Sequence, residues 1–250
     1  MEEILTQIGE VSPVLIMGLG LAIGLEHAFE PDHVAAVSTQ VSKARFRQKT
    51  AKQIIKSGTL KSSIIGAFWG AGHTTTLVLM GLLVYVLAIK IQENIFSGLE
   101  LVVGMMLIFL AATTILNKKI IRLKHRHPHQ HQDGSLHFDE HSHDDADHRH
   151  GHKPYLIGCI HGLAGSGSLV VLTAATLNNV ATVIEFILVF GIGSIIGMAI
   201  ISGLIGLPFA LSAKISSVNR IFRYAAGAFS LIIGANIVYQ ILFVDKLFGF

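Results

Sequence analysis

The octet Glu26-His27-Ala28-Phe29-Glu30-Pro31-Asp32-His33 lies inside a stretch that is otherwise apolar from about residue 12 to residue 40. It sets five ionisable side chains and a proline where an uninterrupted membrane helix would carry none. Charge at bilayer depth costs several kcal/mol and usually marks a substrate or ion path. Imidazole with carboxylate is a ligand set for a first-row divalent metal. An unbroken helix over 12–40 would be ~44 Å long at ~1.5 Å per residue, more than the hydrocarbon core spans. Pro31 supplies the break, because it has no N–H for the carbonyl of His27 and its ring crowds that carbonyl.

Helical geometry decides what the break is for. At ~100° per residue, Glu26, Glu30 and His33 share one face of an intact helix, His27 flanks it, and Asp32 points away. Unwinding at Pro31 lets His27, Asp32 and His33 converge. Non-helical backbone at this depth is tolerated where it lines a cavity or is buried in protein. A proline kink whose polar residues merely pair with one another is the plainer alternative.

Further apolar segments cover 63–89, 97–116, 155–178, 182–211 and 221–244, so six spans of about 20 residues or more are expected. With 51% hydrophobic and 14% charged residues and a mean hydropathy of +0.60, the 250-residue chain reads as an integral membrane protein. Basic residues concentrate in segments 41–62, 117–154 and 212–223, while 90–96 and 178–181 carry only Lys90. The positive-inside rule therefore puts these three loops in the cytoplasm, both termini outside, and the protein in the cell (plasma or inner) membrane. This segregation argues against nucleic acid as a partner. Glu2 and Glu3 stand where a cleaved signal would be basic. Cys159 is the single cysteine, which excludes an internal disulfide and a two-cysteine relay.

The chain divides into a three-helix block at 1–116, a loop at 117–154 and a second three-helix block at 155–250. Gly24-Leu25-Glu26-His27 is similar to Gly158-Cys159-Ile160-His161, and Trp69-Gly70-Ala71-Gly72-His73 to Phe190-Gly191-Ile192-Gly193-Ser194. Three spans per block is odd, so the blocks must face opposite ways, as in inverted-repeat transporters with a mid-membrane site. The expected fold is all-α, six transmembrane helices in two inverted repeats. The loop holds ten histidines between His125 and His152 among aspartates and glutamate, and is expected to lack order and to bind metal with modest selectivity.

His73 follows Gly70-Ala71-Gly72 and precedes three threonines; its depth, ~18–20 Å from the cytoplasmic end, matches that of His27. His161 opens a glycine-rich run, Gly162-Leu163-Ala164-Gly165-Ser166-Gly167, with no lysine to make it a P-loop. It either faces the site or simply packs. Asn178, Asn179, Glu185 and Asn236 are weaker polar candidates that helix packing would explain.

His27-x4-Asp32-His33 and Gly72-His73-Thr74-Thr75 resemble the two hallmark motifs of the nickel/cobalt transporter superfamily. The proline-containing first motif and the run after His161 are closest to the urease-accessory-type permease and nickel/cobalt efflux branches. Glu26 stands where the classical permeases carry arginine, and the acidic motifs of their second half are not recognisable. The resemblance implies transport of Ni2+ or Co2+, with Zn2+ as a further candidate and no resident cofactor. The implied metal site comprises His27, Asp32, His33, His73, Glu30, Glu26 and His161. The divalent ion and the lipid bilayer are the expected partners, with a cytoplasmic metallochaperone as a further one. An exporter of small amino acids or sulfur oxyanions would need basic groups at mid-membrane, and a membrane metal sensor would need no transport. An intramembrane metalloenzyme is disfavoured, since no span contains His-Glu-x-x-His.

Overall fold

The computed structural model describes residues 13–44, 50–87, 93–116, 127–130, 136–139, 152–163, 180–245 and 247. The first apolar stretch forms two helices, α1 (Pro13–His27) and α2 (Pro31–Val41). They are followed by α3 (Ala51–Leu87), α4 (Glu93–Ile115), α5 (His152–Gly162), α6 (Val180–Leu211) and α7 (Ser216–Tyr239). A 3-10 turn, Ser212–Lys214, joins α6 to α7, and a π-helical turn, Gln240–Val244, extends α7.

Among the described residues, three helical stretches are long and apolar enough to cross a membrane: Asn94–Ile115, Ala181–Lys214 and Ser216–Val244. The protein is thus a helical membrane protein. Helix α3 has the length but also carries Lys52, Lys56, Lys61, His73 and three consecutive threonines. The rest of the expected fourth span, residues 164–178, falls outside the described residues, as do Asn178 and Asn179.

Two expected loops are partly helical. Segment 41–62 gives way to α3 at Ala51, because Ala51-Lys52-Gln53-Ile54-Ile55-Lys56 contains good helix formers and no proline. Arg220 and Arg223, placed by the sequence in a loop, lie in the first turns of α7. The loop expected to lack order contains an antiparallel hairpin, β1 (His127–Gln130) with β2 (Leu136–Asp139), His127 opposite Asp139.

Small residues set the packing. A methyl group on Gly24 of α1 would overlap the Phe190 carbonyl of α6, and one on Gly193 of α6 would overlap the Leu21 carbonyl. Likewise, a methyl on Gly158 of α5 would overlap the Trp69 carbonyl of α3, and one on Gly72 would overlap the Tyr155 carbonyl. The two sets match residue for residue under the internal similarity of the sequence: Gly24 with Gly158, Phe190 with Trp69, Gly193 with Gly72, and Leu21 with Tyr155. Gly20 against Phe186, Gly24 against Phe190 and Gly197 against Ala28 make α1 parallel to α6, and Gly158 against Trp69 with Gly162 against His73 make α3 parallel to α5. Gly70 against Ile195 and Gly66 against Met198 make α3 antiparallel to α6. Helix α1 therefore runs opposite to α5, its counterpart. Helices α4 and α7 cross antiparallel where Gly104 and Gly234 approach each other, with Ser230 Oγ donating to the Leu107 carbonyl at 3.0 Å. Backbones approach this closely only where side chains are small.

Helix α2 is the short central element. Ala35, Ala36, Val37, Thr39 and Val41 are buried, against α3, α4, α6 and α7. Its hydroxyls turn back on their own helix: Ser38 Oγ donates to the Ala35 carbonyl at 2.9 Å and Thr39 Oγ1 to that of Ala36 at 2.7 Å. This satisfies polar groups where no water reaches them.

Candidate metal centre

The break between α1 and α2 is built by Pro31. Glu30, immediately before it, is extended (φ −57°, ψ 142°), the conformation that proline imposes on its predecessor. Pro31 itself opens α2, where its fixed φ suits the first helical turn and its missing N–H costs nothing. The His27 carbonyl, denied its partner from residue 31, accepts instead from Glu30 N–H at 3.1 Å. His27 thus ends α1 and His33 lies in the first turn of α2, so the two rings face each other across the break. Their centroids are 4.3 Å apart in an edge-to-face arrangement.

Helices α3 and α5 complete the cluster. His73 projects from mid-α3 and His161 from the end of α5, and all four imidazoles are at most 2% exposed. His27 Nε2 lies 3.2 Å from His73 Nε2, and His27 Nδ1 lies 2.7 Å from Glu30 Oε1. Asp32 Oδ1 accepts from the backbone N–H of His33 at 2.8 Å and lies 2.8 Å from His33 Nδ1. Its other oxygen, Oδ2, lies 3.0 Å from His161 Nε2. Two triads, His27/His33/His73 and Asp32/His33/His161, each offer one ligand atom per residue, all within 4.8 Å of one another.

Of the seven residues singled out by sequence, six meet at this point and one does not. Glu26 lies on the exposed side of α1. In the last turn of α1 it points away from His27, and the break removes the face it would have shared with Glu30 and His33. Glu30 is the most open member, its side chain 43% exposed. Glu185 and Asn236 are exposed.

Trp69 is the group that the sequence reading used only for the repeat. Fully buried, it stands edge-on to His33 at 5.3 Å and to His161 at 5.1 Å between ring centroids. The signal was its position four residues before His73, which puts both on one face of α3. Phe190, its counterpart in α6, lies 5.3 Å from His27. The counterpart of His73 is Ser194, buried and without an imidazole to offer.

Within the cluster, four buried nitrogens make no hydrogen bond among the described residues: His33 Nε2, His73 Nδ1, His161 Nδ1 and Trp69 Nε1. A buried polar atom left unpaired costs about 1–3 kcal/mol. Imidazole nitrogens gathered in this way are free to take a cation of borderline softness.

Comparison with known proteins places the chain. Residues 70–236, well over half of it, match the family model described as cytochrome C biogenesis protein transmembrane region. The chain belongs to this family. It is also 34% identical, over 243 residues, to the urease accessory protein UreH of Bacillus sp. (strain TB-90), a match covering 96% of this chain and 97% of that relative. No solved structure matches. The description of the cytochrome C biogenesis transmembrane family agrees with the three membrane-length helices. The name of the relative agrees with the urease-accessory-type branch that the motifs resemble. Neither description names an enzymatic reaction.

Proposed function

We propose that this protein transports divalent transition-metal cations, Ni2+ or Co2+ foremost, across the membrane through the cluster of His27, Asp32, His33, His73 and His161. The observation that carries the reading is the convergence of four buried histidines and one carboxylate from α1, α2, α3 and α5 on one point. The ion is the cargo. Imidazole selects nickel, copper and zinc over magnesium or calcium, and one carboxylate offsets part of the ionic charge. Glu30 meets the ion at the open edge. The urease accessory name of the full-length relative supports nickel as cargo, since it ties a chain of this kind to a urease.

The six-span inverted repeat belongs to the same reading. Its support is the matched contacts of Gly24 with Phe190 and of Gly158 with Trp69, together with the opposite directions of α1 and α5. In that arrangement the cluster lies where the two halves meet, the position from which rocking of one half against the other exposes an ion to either side. Both termini then lie outside. The histidine-rich loop lies in the cytoplasm, where it gathers ions or passes them to a metallochaperone.

Flux into proteoliposomes tests this. Wild-type protein takes up Ni2+ or Co2+, and the double variant His27→Ala/His33→Ala does not; equal flux through both would sink the proposal.

A further inference from the structure

His33 stands midway between two histidines that the internal repeat makes equivalent. Its ring centroid is 4.3 Å from that of His27 and 4.4 Å from that of His161, edge-to-face in both cases at 68° and 72°. The supporting rings are equivalent too, His27 against Phe190 and His161 against Trp69. Each of the two histidines belongs to a different ligand triad, and His33 is the one residue common to both.

We infer that the cluster is two overlapping half-sites, not one, and that a single cation is handed from one to the other across His33. The inference rests on the reading of the cluster as a cation path. One half-site is His27, His33 and His73. The other is Asp32, His33 and His161. The two cannot be filled together: His33 Nδ1 is held by Asp32 Oδ1 at 2.8 Å, which leaves Nε2 as its one open nitrogen. The half-sites also differ in chemistry. The first is all imidazole, with its carboxylate, Glu30, bound behind His27 at 2.7 Å; the second has Asp32 directly in reach. Because α1 and α5, which carry the equivalent His27 and His161, run in opposite directions, each half-site serves one side of the membrane. His27 and His161 are the side-specific ligands, and His33 is retained throughout the passage.

Single-residue variants of the full-length chain separate the two arrangements. The ten histidines between His125 and His152 are replaced by serine in every sample, so that ions held by the loop do not obscure the count. Calorimetric titration with NiCl2 then reads binding, and Ni2+ flux into liposomes reads transport. His27→Ala and His161→Ala each keep one Ni2+ per chain, with affinity within roughly tenfold of the parent, while flux falls at least ~10-fold. His33→Ala loses both. The companion variants His27→Gln and His161→Gln keep side-chain bulk, and they decide the matter if an alanine variant melts early in detergent. Flux through His161→Ala equal to that of the parent overturns the hand-over, and so does loss of binding in His27→Ala as complete as in His33→Ala. A parent chain that moves neither Ni2+ nor Co2+ defeats the proposed function itself, an outcome distinct from either of these.

Discussion

Asp32 and His161 are 129 positions apart in the chain, yet Asp32 Oδ2 lies 3.0 Å from His161 Nε2. The contact joins the first helical block to the second at the buried cluster. Because the other oxygen of the same carboxylate holds His33, Asp32 fixes two imidazoles at once. Asp32→Asn keeps the shape but removes the charge that balances an ion. Ni2+ affinity should fall roughly 10- to 100-fold, because Asp32 is a ligand of one half-site and also orients His33, the imidazole common to both. Competition against a metal indicator in detergent measures it, and an unchanged affinity would assign Asp32 a packing role.

Pro31→Ala tests the break. Alanine no longer holds Glu30 in the extended conformation, so α1 and α2 are free to fuse into one helix that carries Asp32 away from His27. Transport should drop at least severalfold, with the melting temperature little changed or raised, because alanine is the better helix former. Flux and a thermal melt on the same preparation decide this. Wild-type flux in the variant would mean that tertiary packing alone keeps the helices apart.

Glycines at helix crossings should be intolerant where backbone faces backbone. Gly158→Ala drives a methyl into the Trp69 carbonyl and forces α5 off α3, whereas a methyl at Gly18 meets nothing within 4 Å. The first change should cost about 1–3 kcal/mol and the second close to nothing. Thermal unfolding in detergent compares them. Equal melting temperatures would contradict the close approach of α3 and α5.

Lys43, just past the end of α2, donates from Nζ to the buried Thr113 Oγ1 of α4 at 2.6 Å. Burial of the ammonium lowers its pKa to about 8 from the ordinary 10.5. Folding then penalises the charged form, fully at pH below 8 and progressively less as pH rises towards 10.5. The wild type should gain a little stability across that window relative to Lys43→Met, modestly so because the residue as a whole is exposed. Parallel melting curves at pH 7.5 and 9.5 give the difference. A constant offset between the two proteins would remove Lys43 from the account.

The sequence by itself determined a good deal, and for a simple reason. Apolar length and the scarcity of charge dictate helices in a membrane whatever their arrangement, and a proline within such a helix must break it. The octet at Glu26–His33 therefore announced both a candidate site and the interruption. Local chemistry settled the interruption without reference to any neighbour.

What lay beyond the sequence depended on contacts between distant segments. Spacing alone left His161 undecided between packing and the site; the close approach of Gly158 to Trp69 carries it to Asp32. Glu26 shared a face with Glu30 and His33 on an ideal helix, and the break at Ala28–Glu30 ended that face before it could matter. Trp69 served only to align the internal repeat until α2 and α5 brought His33 and His161 to its edge. Helix type and helix interruption follow from a residue's near neighbours. Which side chains meet follows from how small residues let the helices cross, and only the packed structure decided that.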